Sequence, residues 1–204
     1  TAMPAASERA PVHSKKVQNA WAMYDWANSV YSLVITTTIF PIFYNAMTTV
    51  RKEDGTLVSD VVTFWGVEFL NTQLYSYVLA TSFLVIIFLS PLLSGMADYA
   101  GKKLTFMKVF CYAGAAGCAS MFFFNPTHLE WSMASLFLAN LGFWGSLGFY
   151  NAYLPEIAPP EEHDKLGARG YVMGYIGSVT LLLICLALIM GVGNHLTKWA
   201  FVLV

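Results

Sequence analysis

The sequence predicts an all-α integral membrane protein, a bundle of six helices of which the sixth is cut short. Three observations predict it. Hydrophobic residues make up 57% of the 204 and charged residues only 11%, whereas a soluble domain carries about 25% charged residues. Apolar runs recur at the length that crosses a hydrocarbon core, ~20 residues, and mean hydropathy is +0.57. Aromatics at 16% supply the interfacial Trp and Tyr that anchor such helices.

Taken in order, residues 1–18 form a polar tail without the apolar stretch of a signal peptide. Five complete spans follow, at about 19–45, 73–98, 104–124, 131–155 and 169–191, and a sixth opens at residue 198 and is still apolar at 204. The long connection between the first two spans holds KEDG, a turn signal, at 52–55. Its second half, VVTFWGVEFLNT, mixes aromatics with Glu68 and Asn71 and is expected to lie flat at the interface. Spans three and four are joined by a short loop and form an antiparallel hairpin. The Pro159–Pro160 pair ends span four, because proline removes a backbone donor and disfavours helix just before it.

Lys and Arg set the orientation. With the N-terminus inside, Arg9, Lys15, Lys16, Lys102, Lys103, Lys108, Lys165 and Arg169 fall on the cytoplasmic side, against Arg51, Lys52 and Lys198 outside. A multi-pass chain with a cytoplasmic N-terminus is therefore expected, in a bacterial inner membrane.

Composition and spacing exclude several classes. A net charge of −1 leaves no basic face for nucleic acid. Cys111, Cys118 and Cys185 lie inside apolar runs, at spacings of neither a metal site nor a disulfide framework, and read as small buried residues. There is no paired acidic metal motif, no nucleophile with a base and no histidine cluster, so no enzyme, metal or cofactor is expected.

The polar residues inside the spans carry the functional expectation. A carboxylate at mid-membrane costs ~2.5–3.5 kcal/mol on the insertion scale and is kept only for a purpose. Asp25 lies nearer the interface, where a gate or structural partner is the more natural role. Tyr24, Asp25, Asn28 and Tyr31 share a broad helix face. Thr36, Thr37 and Thr38 form the polar cluster at depth, although such hydroxyls often bond back to their own backbone. In span four, Asn140 and Trp144 sit one turn apart near the centre. Gly142, Gly145 and Gly148 recur every third residue and open a groove for close helix contact, as Gly170, Gly174 and Gly177 do in span five. Thr37, Asn140 and Trp144 are the expected solute contacts.

Asp25, Asp98, Glu156 and Arg169 fall at the cytoplasmic ends of spans one, two, four and five, while no ionisable residue occupies a midplane. They suggest a gate network in which Arg169 pairs with Asp25 or Glu156 and Asp98 serves the facing half. Separate charges snorkelling into the headgroup layer are the simpler alternative. In the turn after span two, Gly101 supplies positive φ, and Lys102 and Lys103 stay in the headgroups.

The run SPLLSGMADYAGKK, from Ser90 to Lys103, resembles the loop between the second and third helices of major facilitator transporters, Gly-x-x-x-Asp-Arg-x-Gly-Arg-Lys. Ser94 replaces the first Gly and Tyr99 the Arg. Together with WAMYDWANSVYSLVITTTIFPIFY (Trp21 to Tyr44), FYNAYLPEIA (Phe149 to Ala158) and ARGYVMGYIGS (Ala168 to Ser178), it is similar to the vacuolar-effluxer-like branch of that superfamily, also called the unknown major facilitator group. The resemblance implies the N-terminal six-helix bundle of a two-bundle transporter of about twelve helices, with spans one, two, four and five facing the central cavity. Its implied partners are the lipid bilayer, a C-terminal transmembrane half and a small-molecule solute. Fungal members are associated with amino-acid efflux from the vacuole. Span four holds no Lys or Arg, unlike many proton-coupled members, which weakens a borrowed proton-antiport mechanism. The expectation is a secondary exporter of a small polar or zwitterionic solute, with amino acids as the candidate class. A non-transporting scaffold or partner subunit is the alternative.

Overall fold

A computed structural model describes residues 14–192, without the side chains of 98, 100, 191 and 192; the expected sixth span lies outside the described residues. The chain runs back and forth between two ends. One carries the tight turn at Gly101 (the turn end), the other two β-hairpins (the hairpin end).

Span one is a composite. Helix α1 (Lys15–Asn28) opens on Ser14, whose hydroxyl accepts from the Lys16 N–H at 3.3 Å. Residues Tyr31–Ile39 then widen into a π-helix before α2 (Phe40–Thr48). Pro41 accounts for the change of register. It cannot donate to the Thr37 carbonyl, and its ring crowds that carbonyl. The neighbouring Phe40 N–H reaches back five residues, to Ile35. At its far end span one is tied to the next helix by Asn71, fully buried, whose amide donates to Thr48 and Thr49 at 3.0 and 3.1 Å.

The connection expected to lie flat at an interface is instead paired strand. β1 (Val50–Arg51) pairs with β2 (Leu57–Ser59), and β3 (Val61–Phe64) pairs antiparallel with β4 (Val67–Leu70) in the register Val61–Leu70 to Phe64–Val67. The reason is local. Two four-residue runs rich in Val and Phe flank Trp65-Gly66, both at positive φ (+49° and +79°), the signature of the I′ turn whose twist matches a hairpin.

Helix α3 (Asn71–Ala100) is 30 residues long, about 45 Å. It closes at Gly101, at φ +59°, where the Lys102 N–H bonds the Ala97 carbonyl across the turn. α4 (Lys103–Ser120) returns to the hairpin end, and Asn125 caps the short turn into α5 (Leu129–Ala152). A single turn, α6 (Leu154–Ile157), and the proline pair lead into α7 (His163–Val192).

Among the described residues, four segments are long and apolar enough to cross a membrane: Lys15–Thr48, Asn71–Ala97, Lys103–Phe123 and Pro160–Met190. α5 occupies the expected fourth position, and its polar residues have protein neighbours. It is packed on three sides, so Ser132, Ser135, Asn140 and Ser146 face protein rather than lipid and are all buried. Its seam with α4 is backbone on backbone. A methyl group on Gly142 would lie 2.3 Å from the Gly114 Cα, and one on Gly117 2.5 Å from the Ala139 nitrogen. Gly145 faces the Phe110 ring, whereas nothing lies within 4 Å of the same position on Gly148. α7 receives α1 in the same manner, Gly170 against Trp21, Gly174 against Ser29 and Asp25, and Gly177 against Trp26. Without a hydrophobic drive between helices in lipid, such close approach is what holds them.

Candidate functional site

Two of the concavities that border span one take residues from its middle. The first is a cleft of about 270 Å³ against α7, lined by Ser29, Ser32, Leu33, Thr37, Tyr171, Gly174, Tyr175 and Ser178. It is rich in hydroxyls and carries no charge of its own. Thr37 stands on its wall, its hydroxyl donating to the Ser32 and Leu33 carbonyls at 2.9 and 2.8 Å. Asp25, about three turns from Thr37, lies one turn from Ser29 at the other end of the cleft and accepts its hydroxyl at 2.8 Å. The second concavity, about 170 Å³, lies between span one, α4 and α5. Tyr24, Asn28, Tyr31, Cys111, Cys118 and Ser146 contribute to it. The Ser146 hydroxyl reaches the Asn28 side-chain carbonyl oxygen at 3.3 Å, while the Asn28 amide nitrogen has no hydrogen-bond partner among the described residues.

The residues expected to share one face of span one therefore divide. Tyr24, Asn28 and Tyr31 look into the inner cavity, and Asp25 turns towards α7. The three expected solute contacts divide as well. Asn140 is fully buried and its amide donates to the Ser82 hydroxyl on α3, its carbonyl oxygen having no hydrogen-bond partner among the described residues. Trp144 packs edge-on against Phe83 and Phe143, at 5.3 and 5.2 Å between ring centroids. Both look towards α3, away from Thr37. Ser29, Ser32, Ser178 and the two α7 tyrosines were not singled out by sequence. Their signal was the recurrence of small and hydroxyl residues opposite one another on two different spans, which no single-helix pattern reports.

At the turn end, Glu156 pairs with Lys103 at 2.5 Å, joining α6 to the start of α4. The pairing expected with Arg169 does not form. Arg169 is exposed and, among the described residues, makes no ion pair; it lines a polar recess of about 350 Å³ with Lys15, Gln18, Asn19, Glu162 and Lys165. Geometry decides this, because Lys103 begins its helix beside α6 while Arg169 starts the face of α7 that meets α1. Gly101 has the positive φ its place requires, Lys102 precedes the first turn of α4, and the Asp98 side chain lies outside the described residues. Trp21 fixes α1 against α5 at this end, its indole N–H donating to the Tyr150 carbonyl at 3.0 Å and its ring stacked at 4.2 Å on Tyr150. Among the described residues no group of three His, Cys, Asp or Glu is placed to hold a metal ion.

The family model described as "Vacuole effluxer Atg22 like" matches residues 13–204. An uncharacterized MFS-type transporter of Bacillus subtilis (strain 168), YxiO, is 35% identical over 177 residues, covering 86% of this chain and 38% of that relative. The chain thus spans well under half the length of that protein. No solved structure matches the chain. A helical membrane bundle, glycine seams between its spans and a match over nearly the whole sequence lead to one assignment: the chain belongs to the Atg22-like vacuole effluxer family of major facilitator transporters.

Proposed function

We propose that this bundle is the N-terminal half of a secondary active transporter that exports a small polar or zwitterionic solute, amino acids being the first class to test, by alternating access. The observation that carries the reading is the hydroxyl-lined cleft between span one and α7, with Thr37 on its wall and Asp25 bonded to the Ser29 that closes its other end. Neutral donors and acceptors at membrane depth suit a solute without net charge, since a fixed charge there is costly unless matched. In this reading Thr37 contacts the solute directly, while Asn140 and Trp144 lie outside this cleft, against α3.

The turn end is the proposed gate, facing the cytoplasm. Asp25, Asp98, Glu156 and Arg169 provide its charges, and Gly101, Lys102 and Lys103 shape the loop that latches onto the other half. The Glu156–Lys103 pair holds the gate from this side. Both partners are partly exposed, so the pair is worth only about 0–1 kcal/mol in stability and acts on the transport cycle rather than on the fold.

The experiment is flux of a labelled amino-acid mixture in proteoliposomes holding the full-length protein, with and without a pH gradient, beside Asp25→Asn. Gradient-sensitive flux that disappears in the variant is the expected result. Flux indifferent to both leaves transport standing and removes the Asp25 gate. No flux of any amino acid overturns the substrate class.

A further inference from the structure

A third concavity lies at the hairpin end, shares no residue with the cleft above, and has different chemistry. It encloses about 380 Å³ between the β3–β4 hairpin, α3 and α5. Five rings border it: Phe64, Trp65, Phe69, Tyr77 and Phe137. They are partly organised in pairs, Phe64 with Trp65 at 4.8 Å and Phe69 edge-on to Tyr77 at 6.1 Å. The one ionisable carboxylate on the wall is Glu130, half-buried and, among the described residues, without an ion-pair partner. Instead it accepts the backbone N–H of Trp65 at 3.4 Å. Arg51, a cation of the neighbouring hairpin, is turned to the Gly55 carbonyl.

Trp65 is the second, independent sign. It is the only described non-glycine residue at positive φ, in a turn position where Asn or Gly is usual, and its side chain is 80% exposed. Backbone held in a sparsely populated region persists where the surroundings fix it, and such positions gather at ligand clamps. Here the strain places an indole at the mouth of an aromatic cleft that holds the Glu130 carboxylate, which has no ion-pair partner among the described residues.

The geometry points to a binding site for an organic ammonium cation, quaternary or highly methylated. Ring faces attract a cation through their quadrupole, and attraction grows as water is excluded. Glu130 supplies the counter-charge. A primary ammonium brings three donors that need acceptors, and this mostly apolar wall offers few; a trimethylammonium group needs none. The volume falls in the range of small-ligand clefts. Such a cation has two sources, a free solute or the choline headgroup of a lipid.

The test uses the full-length protein in nanodiscs of phosphatidylglycerol, titrated calorimetrically with choline and with its neutral carbon isostere 3,3-dimethylbutan-1-ol, with empty discs subtracted. Saturable choline binding, at least tenfold tighter than the isostere, is expected. Glu130→Gln keeps an acceptor for the Trp65 N–H and Trp65→Leu keeps apolar bulk; each is expected to weaken choline at least fivefold with an unchanged melting temperature. Repetition in phosphatidylcholine discs separates the sources: a weaker apparent affinity assigns the site to the lipid headgroup, and an unchanged one to a free cation. Absence of choline binding, equal binding of the isostere, or undiminished binding by Glu130→Gln overturns the proposal.

Discussion

Gly142 lacks a side chain because α4 leaves no room for one. A Cβ there would meet Gly114 backbone rather than a movable side chain, so Gly142→Ala forces the seam apart and is expected to cost about 1–3 kcal/mol, read as a lower melting temperature in detergent. Gly148→Ala, at the open end of the same stripe, is the control and should be silent in that measurement. Gly101→Ala places a Cβ in left-handed backbone at φ +59°, expected to cost about 1–2 kcal/mol, with Gly101→Asn closer to the parent. Asn140 invites a finer experiment. An interhelical hydrogen bond in a membrane averages about 0.6 kcal/mol, so Asn140→Leu should lower stability slightly and flux only in proportion if its role is the bond to Ser82. Abolished flux at parental stability would make it a solute ligand. The sequence places Asn140 at mid-span, but its partner sits 58 residues away on another helix, and no spacing rule within α5 could name it. Thr37 was more legible: hydroxyls at membrane depth have few partners except their own backbone, and it uses two carbonyls.

The elements divide by whether their cause is local. The Gly101 turn could be read in advance, since only glycine settles there without strain. The hairpins at 50–70 left a readable trace in two Val- and Phe-bearing runs around Trp65-Gly66, which aromatic content and proximity to a span disguised as an interfacial segment. The π-helix of span one was not readable, because it is a matter of hydrogen-bond register forced by Pro41 and not of composition. In the first hairpin, Asp54 accepts the Thr56 hydroxyl at 2.6 Å and its N–H at 2.9 Å, and these bonds hold its carboxyl below the ordinary value of 3.8. A depressed folded value stabilises the hairpin above pH 3.8 and loses that contribution as pH falls through the lower, folded value. The protection of amides at 50–59, exchange being referred to the intrinsic rate at each pH, should accordingly fall in acid, and Asp54→Asn should remove that dependence.

At the scale of the whole molecule, the fold class follows from hydropathy and chain length, while the arrangement rests on contacts between distant segments. α5 joins α3, α4 and span one, and the seams decide which spans become neighbours. The same arrangement divides the polar residues of span one between two different hollows, a consequence of the helix having protein on two sides.

The enclosed position of α5 has a consequence for how the protein is made. A segment that needs neighbours to shelter four buried polar side chains is a poor client for insertion on its own merits, because the translocation machinery grades each segment by its hydropathy. α4, already synthesised and smooth along the Gly114–Gly117 edge, offers a ready companion, so the two are expected to leave the channel as a pair. Presented alone in a glycosylation-mapping reporter, α5 should insert inefficiently. Presented behind α4 it should insert well, and Gly117→Leu should undo the gain without altering the hydropathy of α5 at all.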